Sequence, residues 1–273
     1  MFVFGCDVSK NTLDIAWFDE QLGRWVIRTG IPNTRSGYRQ LIKWMCAVCE
    51  AQAEDVCLVL EATCVYHQPL AEYAYTAGVT VLVTNPGRAA EHARSQNRLN
   101  KTDKLDAQGL QHYARHLQNC HEYVPHSASV QALQALLSRL RQLNSDIRRE
   151  RNRLEKAPFI AGSGPLSASL KRHIKYLEKE KDRIQKQIDA LIDENDRLSH
   201  VQKRLLSITG IGSLTSQSLI PLLYRDQFTD ARQLAAYLGL TPVHKHSGTS
   251  LHSRGRLSGR GNRDLRAQLY MPA

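Results

Sequence analysis

The sequence predicts an α/β fold: a mixed sheet with helices packed on it, followed by a helical hairpin or coiled coil and then a mainly α region. Three observations lead there. Residues 1–126 alternate short apolar runs with helical patterns. Residues 127–200 carry leucine and isoleucine at alternating spacings of three and four, and residues 201–273 read as short helices around glycine turns. Apolar runs of a few residues bounded by turn signals indicate strands, whereas spacing of three and four indicates a helix face.

Taken in order, residues 2–8 form a short apolar strand that carries Asp7 at its end, and Ser9-Lys10-Asn11 make a turn. Leu13 to Phe18 and Arg24 to Arg28 are the next two strands. Their short links imply antiparallel hairpins. Thr34 to Gln52 is helical, with Tyr38, Leu41, Ile42, Met45 and Cys49 on one face. Val56-Cys57-Leu58-Val59-Leu60 is continuously apolar, as expected of a strand buried on both faces, and it ends in Glu61. Gln68 to Ala77 is helical, Val79 to Val83 is another buried strand, and Asn85-Pro86-Gly87 stops it. A helix then begins near Asp103 and runs to about His116. Leu133, Leu136, Leu140, Leu143 (or Asn144), Ile147 and Leu154 mark a long helix, broken by Ala157-Pro158 and Gly162-Ser163-Gly164-Pro165. Ile174, Leu177, Lys181, Ile184, Ile188, Leu191, Asn195 and Leu198 follow a heptad seam in which Lys181 and Asn195 are polar. Such positions commonly fix register or partner number; a rigid spacer is the plainer reading.

Composition narrows the function. Lys and Arg number 37 against 26 Asp and Glu, a net charge of +11, which favours a polyanionic partner. No apolar run approaches the roughly 18 residues of a membrane span, and Met1-Phe2-Val3-Phe4-Gly5-Cys6-Asp7 reaches an acid too early for a signal peptide. A cytoplasmic protein without a membrane partner is expected. The six cysteines all precede residue 121. Cys46 and Cys49 form a C-x-x-C inside an apolar helical run with no second ligand pair, so the cysteines are read as buried free thiols.

The candidate chemistry is acidic. Asp103 and Asp106 stand three residues apart where the helix begins, so both carboxylates share one helix face. Capping by Thr102 or Asp103, or a favourable position in the helix dipole, would also account for them. Arg98, Lys101 and Lys104 flank the pair. Asp7 and Glu61 each end an otherwise apolar strand. If those strands are parallel neighbours, both carboxylates emerge at one sheet edge, where the helix brings the other two. Four converging carboxylates suit a pair of hard cations about 4 Å apart, which can activate an attacking oxygen and stabilise a leaving oxygen in phosphodiester cleavage. A turn role for Asp7, and a cap or basic partner for Glu61, are the ordinary alternatives.

The last region carries two features. Leu205 to Gly212 followed by Leu214 to Leu223 reads as helix, Gly-Ile-Gly turn, helix. Through Gly210 and Gly212 such a hairpin can present N–H groups to a nucleic-acid backbone, or simply connect two helices. Phe228 to Leu240 is a further helix. The stretch from His244 to Arg263 is rich in serine, glycine and arginine; Lys245, Arg254, Arg256 and Arg260 make it a phosphate-contacting loop or a disordered one.

In order and spacing, seven segments resemble the motifs of the DEDD-type insertion-sequence transposases, relatives of Piv-type DNA invertases, whose better-known members are guided by a bridge RNA. They are Gly5-Cys6-Asp7-Val8-Ser9-Lys10, Glu61-Ala62-Thr63, Asn85-Pro86, Asn100-Lys101-Thr102-Asp103-Lys104-Leu105-Asp106-Ala107, Gly210-Ile211-Gly212, Gly239-Leu240-Thr241-Pro242 and Ser247-Gly248. The resemblance covers essentially the whole chain. It implies a RuvC-like domain of the ribonuclease H type at 1–126, a coiled-coil segment at 127–200 and a transposase domain at 201–273. It implies that Asp7, Glu61, Asp103 and Asp106 bind magnesium, or manganese, and that Ser247 is a nucleophile forming a covalent phosphoserine with DNA. DNA, a bridge RNA and further copies of the chain, in a dimer or tetramer, are the implied partners. The family continues with more helix after Leu269-Tyr270-Met271-Pro272, whereas this sequence stops at Ala273, which implies a shortened copy. A RuvC-like nuclease that hydrolyses with water, and a non-catalytic nucleic-acid-binding protein, are the competing functions.

Overall fold

The computed structural model describes all residues except 63, 96–102, 116–121, 225–227, 244–245, 248–250, 253–254, 259–260 and 271–273; the side chains at 93, 103–104, 246–247 and 251–252 also lie outside the description. The chain divides into two compact units, Met1–Pro125 and His126–Ala273.

The N-terminal unit is built on a five-stranded sheet of order β3-β2-β1-β4-β5. Its strands are β1 (Phe2–Val8), β2 (Thr12–Asp19), β3 (Arg24–Pro32), β4 (Val56–Glu61) and β5 (Thr80–Thr84). The β1–β2 and β2–β3 pairs are antiparallel, as their short links require, and β1–β4 and β4–β5 are parallel. Helices α1 (Arg35–Val48) and α2 (Gln68–Thr76) supply the crossovers. The Thr34 side chain caps α1 by accepting from the Gly37 N–H. Helix α3 (Pro86–Ser95), which the sequence pattern does not predict, starts at Pro86 itself, a residue that reads as a stop. Proline suits a helix start, because its missing N–H is one of the donors left unpaired there anyway. Helix α4 (Asp103–Arg115) follows.

Side chains alternate across a strand, and the two sheet faces have separate cores. Phe4, Cys6, Leu58, Leu60 and Val81 pack with Tyr38, Leu41 and Met45 of α1 and with Leu70 and Ala74 of α2. On the opposite face, Cys57, Val59, Val3 and Leu82 pack with Leu110 and Ala114 of α4 and Ala89 of α3. With both faces covered, β4 is buried from Val56 to Leu60, which explains its unbroken apolar run.

The C-terminal unit begins with α5 (Ala128–Lys156) and α6 (Gly164–Asp193), each about 45 Å long at 1.5 Å per residue. They lie antiparallel: Arg151 pairs with Glu178 near the turn, while the Asn195 side chain donates to Ser129 Oγ at 3.3 Å at the other end. Leu143, Ile147 and Leu177 pack between them. The long seam does not run through to Leu198, because α6 ends at Asp193. Asn195 is the N-cap of α7 (Asp196–Leu206), accepting from the Leu198 N–H, and is no seam residue. Leu198 and Leu205 of α7 share an apolar cluster with Leu133 and Leu137 of α5, Ile188 and Ile192 of α6, Ile220 of α8 (Ser213–Leu223), Leu238 of α9 (Ala231–Leu238) and Leu265 of α10 (Arg263–Leu269). Two short ladders complete the unit: β6 (Pro242–Val243) with β9 (Arg256–Leu257), and β7 (His246–Ser247) with β8 (Leu251–His252).

Among the described residues no helix is long and apolar enough to cross a membrane. Cys6 and Cys57 are buried, Cys46 and Cys49 half-buried, and Cys64 is exposed, against the expectation of burial throughout. Burial pushes the Cys6 thiol well up, with the Asp7 and Asp14 carboxylates adding to it, so Cys6 is an inert core residue.

Candidate functional site

The condition set on Asp7 and Glu61 is met. Strands β1 and β4 are parallel neighbours, paired from Phe2↔Val56 to Cys6↔Leu60. Asp7 and Glu61 are the next residue on each, at the carboxyl end of the sheet. Alternation then fixes their face. Phe4 and Cys6, and Leu58 and Leu60, point to the α1–α2 core. Asp7 and Glu61 therefore belong to the other face, with Val3, Cys57 and Val59, the face that α4 covers. Both are half-buried.

Gly5 explains how α4 reaches this edge. A Cβ at residue 5 would collide with the Ala107 carbonyl oxygen and come within 2.5 Å of the Gln111 backbone nitrogen. Only glycine admits the helix backbone so close to the strand. Gly5 lies two residues before Asp7 on the same face, and Ala107 follows Asp106. The close approach thus delivers the start of α4, which carries Asp103 and Asp106, to the end of β1. Ala107 and Leu110 are buried and Asp106 is half-buried. The backbone of Asp103 opens α4, while its side chain and that of Lys104 lie outside the described residues, as does Lys101 altogether.

A further polar residue on this face was not anticipated. Thr84 ends β5 and is the direct cross-strand partner of Glu61. It is 91% buried (9% exposed), and its Oγ1 has no hydrogen-bond partner among the described groups. An unpaired buried hydroxyl costs about 1–3 kcal/mol. Among the described residues no group of three or more His, Cys, Asp or Glu is disposed to hold a metal ion. The donor set nevertheless suits a hard divalent cation: two carboxylates on one face of adjacent strands, a third on the helix packed over them, and an orphaned hydroxyl beside one of them. The sequence offered no signal for Thr84, since its role depends on a cross-strand pairing. Nor did it foresee the meeting of α3 and α4 through His92 Nε2 and His112 Nδ1 at 3.0 Å.

In the C-terminal unit, α7 and α8 are joined through Gly210, which has φ +89°. That left-handed conformation favours glycine. Gly212 is the N-cap of α8 and provides no side-chain cap to the helix. The turn is held from within: Gln217, 1% exposed, donates to Asp189 Oδ1 at 2.7 Å and to Ser213 Oγ at 3.2 Å, and accepts from Gln185 at 2.9 Å. Ser247 lies on β7, paired with Leu251; its side chain is outside the described residues, as are Lys245, Arg254 and Arg260. Arg256, on β9, is exposed.

Sequence comparison is decisive about ancestry. Residues 4–157 match a transposase family model, DEDD_Tnp_IS110, and residues 202–273 match a second, described as the transposase family IS116/IS110/IS902. Over 270 residues the chain is 30% identical to the pilin gene-inverting protein of Moraxella bovis, spanning 98% of this chain and 81% of that one. The protein belongs to the IS110 family of transposases. The pilin gene-inverting protein of Moraxella lacunata is similar to the same degree, 30% over 270 residues. A probable family 20 transposase of Pseudomonas aeruginosa is 37% identical over 117 residues, 42% of this chain and 33% of that one. The first match contains Asp7, Glu61, Asp103 and Asp106, and the second contains Ser247 and Arg256. The whole of α6 falls between the two family matches.

Proposed function

We propose that this IS110-family transposase cuts and rejoins DNA with two sets of groups, one from each unit. In the N-terminal unit Asp7, Glu61, Asp103 and Asp106 would hold divalent cations, magnesium by preference for hard oxygen donors. Bound there, the cations would supply charge neutralisation at a DNA phosphate and lower the energy of an oxyanion. In the C-terminal unit the Ser247 hydroxyl is the nucleophile. Its oxygen bonds to phosphorus as the bond from phosphorus to the leaving deoxyribose oxygen breaks. The serine proton is lost and the leaving oxygen gains one. The phosphodiester energy is kept in the protein–DNA link, ready for transfer to another strand.

The observation that carries this reading is the parallel β1–β4 pair with Asp7 and Glu61 at its carboxyl end, and α4 laid on that face through Gly5. The serine assignment, a guide RNA and assembly as a dimer or tetramer rest on the resemblance of the Ser247-Gly248 and acid motifs. The coiled-coil role of α5 and α6 rests on their shared apolar seam. The +11 charge fits DNA and RNA as partners.

Trapping on DNA tests the reading. The wild-type protein, incubated with its flanking DNA, candidate RNA and Mg2+, should give a covalent protein–DNA adduct. Ser247→Ala should abolish the adduct while leaving DNA binding within about twofold, because no charge is removed. An adduct that survives Ser247→Ala moves the nucleophile to Ser250 or Ser253. DNA cleavage that survives without any adduct favours hydrolysis by water.

A further inference from the structure

We propose that Thr84 is a positioning residue of the acidic site. Its Oγ1 accepts a hydrogen bond from a water carried by a divalent cation that Glu61 and Asp7 hold, and so fixes that water, and the cation with it, beside the Glu61 carboxylate. The inference rests on the metal-binding reading of the acids and adds a residue to it.

Three facts meet at Thr84. It pairs directly with Glu61 across the parallel β4–β5 ladder. Its register places it on the acid face: Val81 belongs to the α1–α2 core and Leu82 to the α3–α4 core, so Thr84, two residues beyond Leu82, follows Leu82. Its main chain is engaged, the carbonyl accepting from Ala62 N–H at 3.0 Å, while its Oγ1 is buried without a partner. A buried hydroxyl in a folded protein calls for an explanation, and an ion with its waters is one of the few available. Threonine at the end of a buried strand is otherwise poorly matched to its place, since valine has the same shape and no donor to satisfy. Magnesium keeps several of its waters when protein carboxylates bind it, and those waters donate hydrogen bonds to acceptors such as a threonine oxygen around them. Groups that orient metal ligands in this indirect way commonly change affinity by 10–100-fold when removed.

The test compares Thr84→Val, Thr84→Ser and Glu61→Gln in the full chain. Mg2+ affinity is measured calorimetrically, and thermal unfolding is followed with and without Mg2+. Thr84→Val keeps the β-branched shape and removes the hydroxyl. Without metal it should unfold at or above the wild-type temperature, because an unsatisfied group has gone. Its Mg2+ dissociation constant should rise about tenfold. Thr84→Ser should bind like wild type. If Glu61→Gln weakens Mg2+ binding while Thr84→Val does not, the role of Thr84 is refuted and the acid site stands. If wild type and Glu61→Gln bind Mg2+ alike, the acid-site reading fails and this inference falls with it. A Thr84→Val protein that is less stable without metal would mark the hydroxyl as part of the apo fold, and would likewise overturn the proposal.

Discussion

In the N-terminal unit two of the acids proposed for chemistry, Asp7 and Glu61, sit on hydrogen-bonded strands of seven and six residues, and the other two on the helix packed over them. In the C-terminal unit the proposed nucleophile sits on a strand of two residues. Asp7 and Glu61 inherit their positions from five consecutive paired residues on β1 and β4, sealed on both faces by helices. Ser247 is placed by a ladder of two pairs, His246↔His252 and Ser247↔Leu251. The apolar cluster of its unit is made by α5 to α10 instead. A metal site gains from rigid placement, because its ligands must meet one geometry.

The largest expected effect follows from dividing the chemistry between the units. Asp103→Asn and Ser247→Ala should each abolish adduct formation when tested alone. We expect the site to be completed by a partner protomer, so mixed assemblies of the two variants should recover part of the wild-type yield through one intact composite site. Adduct assays on the 1:1 mixture decide it. If wild type reacts and the mixture does not, acids and serine act within one chain.

A stability effect comes next. Gly5→Ala places a methyl against the α4 backbone at Ala107 and Gln111. Overpacking of this kind costs about 1–3 kcal/mol, read as a lower midpoint in urea. More important for the comparison, α4 must retreat from β1, so Mg2+ binding should weaken while the C-terminal unit keeps its own unfolding transition. A Gly5→Ala protein with unchanged midpoint and metal affinity would break the claim that α4 is docked through that glycine.

These contrasts also show what a single sequence discloses. The five strands were legible because each is a short apolar run between turn residues, and the continuous run at Val56 to Leu60 announced burial on both faces. Asp7 and Glu61 were legible as acids on apolar strands, although their common edge awaited the parallel β1–β4 pairing. Helix α3 was hidden by Pro86, which reads as a terminator but served as a start. Thr84 was hidden because nothing local marks it; its meaning comes from a register with residue 61. Asn195 shows the opposite error, since heptad spacing continued past the true helix end and turned a cap into a seam residue. The choice of Ser247 among the serines of its loop came from resemblance to the family and from no local physical signal.

Asn195 gives the next smaller prediction. As the cap of α7, accepting from Leu198 N–H at 3.1 Å, it should cost about 1 kcal/mol when changed to alanine. A seam residue would instead alter the oligomeric state. Equilibrium unfolding and sedimentation on Asn195→Ala separate the two: a modest loss of stability at unchanged mass is expected, and a change of mass would restore the seam reading.

The smallest effect concerns pH and belongs to the N-terminal unit alone. His67 is buried, 7% exposed, at the start of α2, six residues after Glu61, and its Nδ1 has no hydrogen-bond partner among the described groups. Burial lowers its pKa below the ordinary 6.5, against a smaller raising influence from a backbone hydrogen bond at Cys64. The folded protein therefore holds His67 neutral where the unfolded chain has begun to protonate it. Below pH 6.5 the unfolded state binds more protons, so stability falls with falling pH until the folded pKa is passed. Above pH 6.5 both states are neutral at this group and its contribution is flat. Unfolding of the N-terminal unit, followed by the fluorescence of Trp17, Trp25 and Trp44, should show this loss between pH 6.5 and the folded pKa. His67→Phe should flatten that part of the profile. Because the C-terminal unit contains no tryptophan, the signal reports the N-terminal unit by itself. An unchanged slope in His67→Phe would mean that other groups, and not His67, set the acid sensitivity of the sheet.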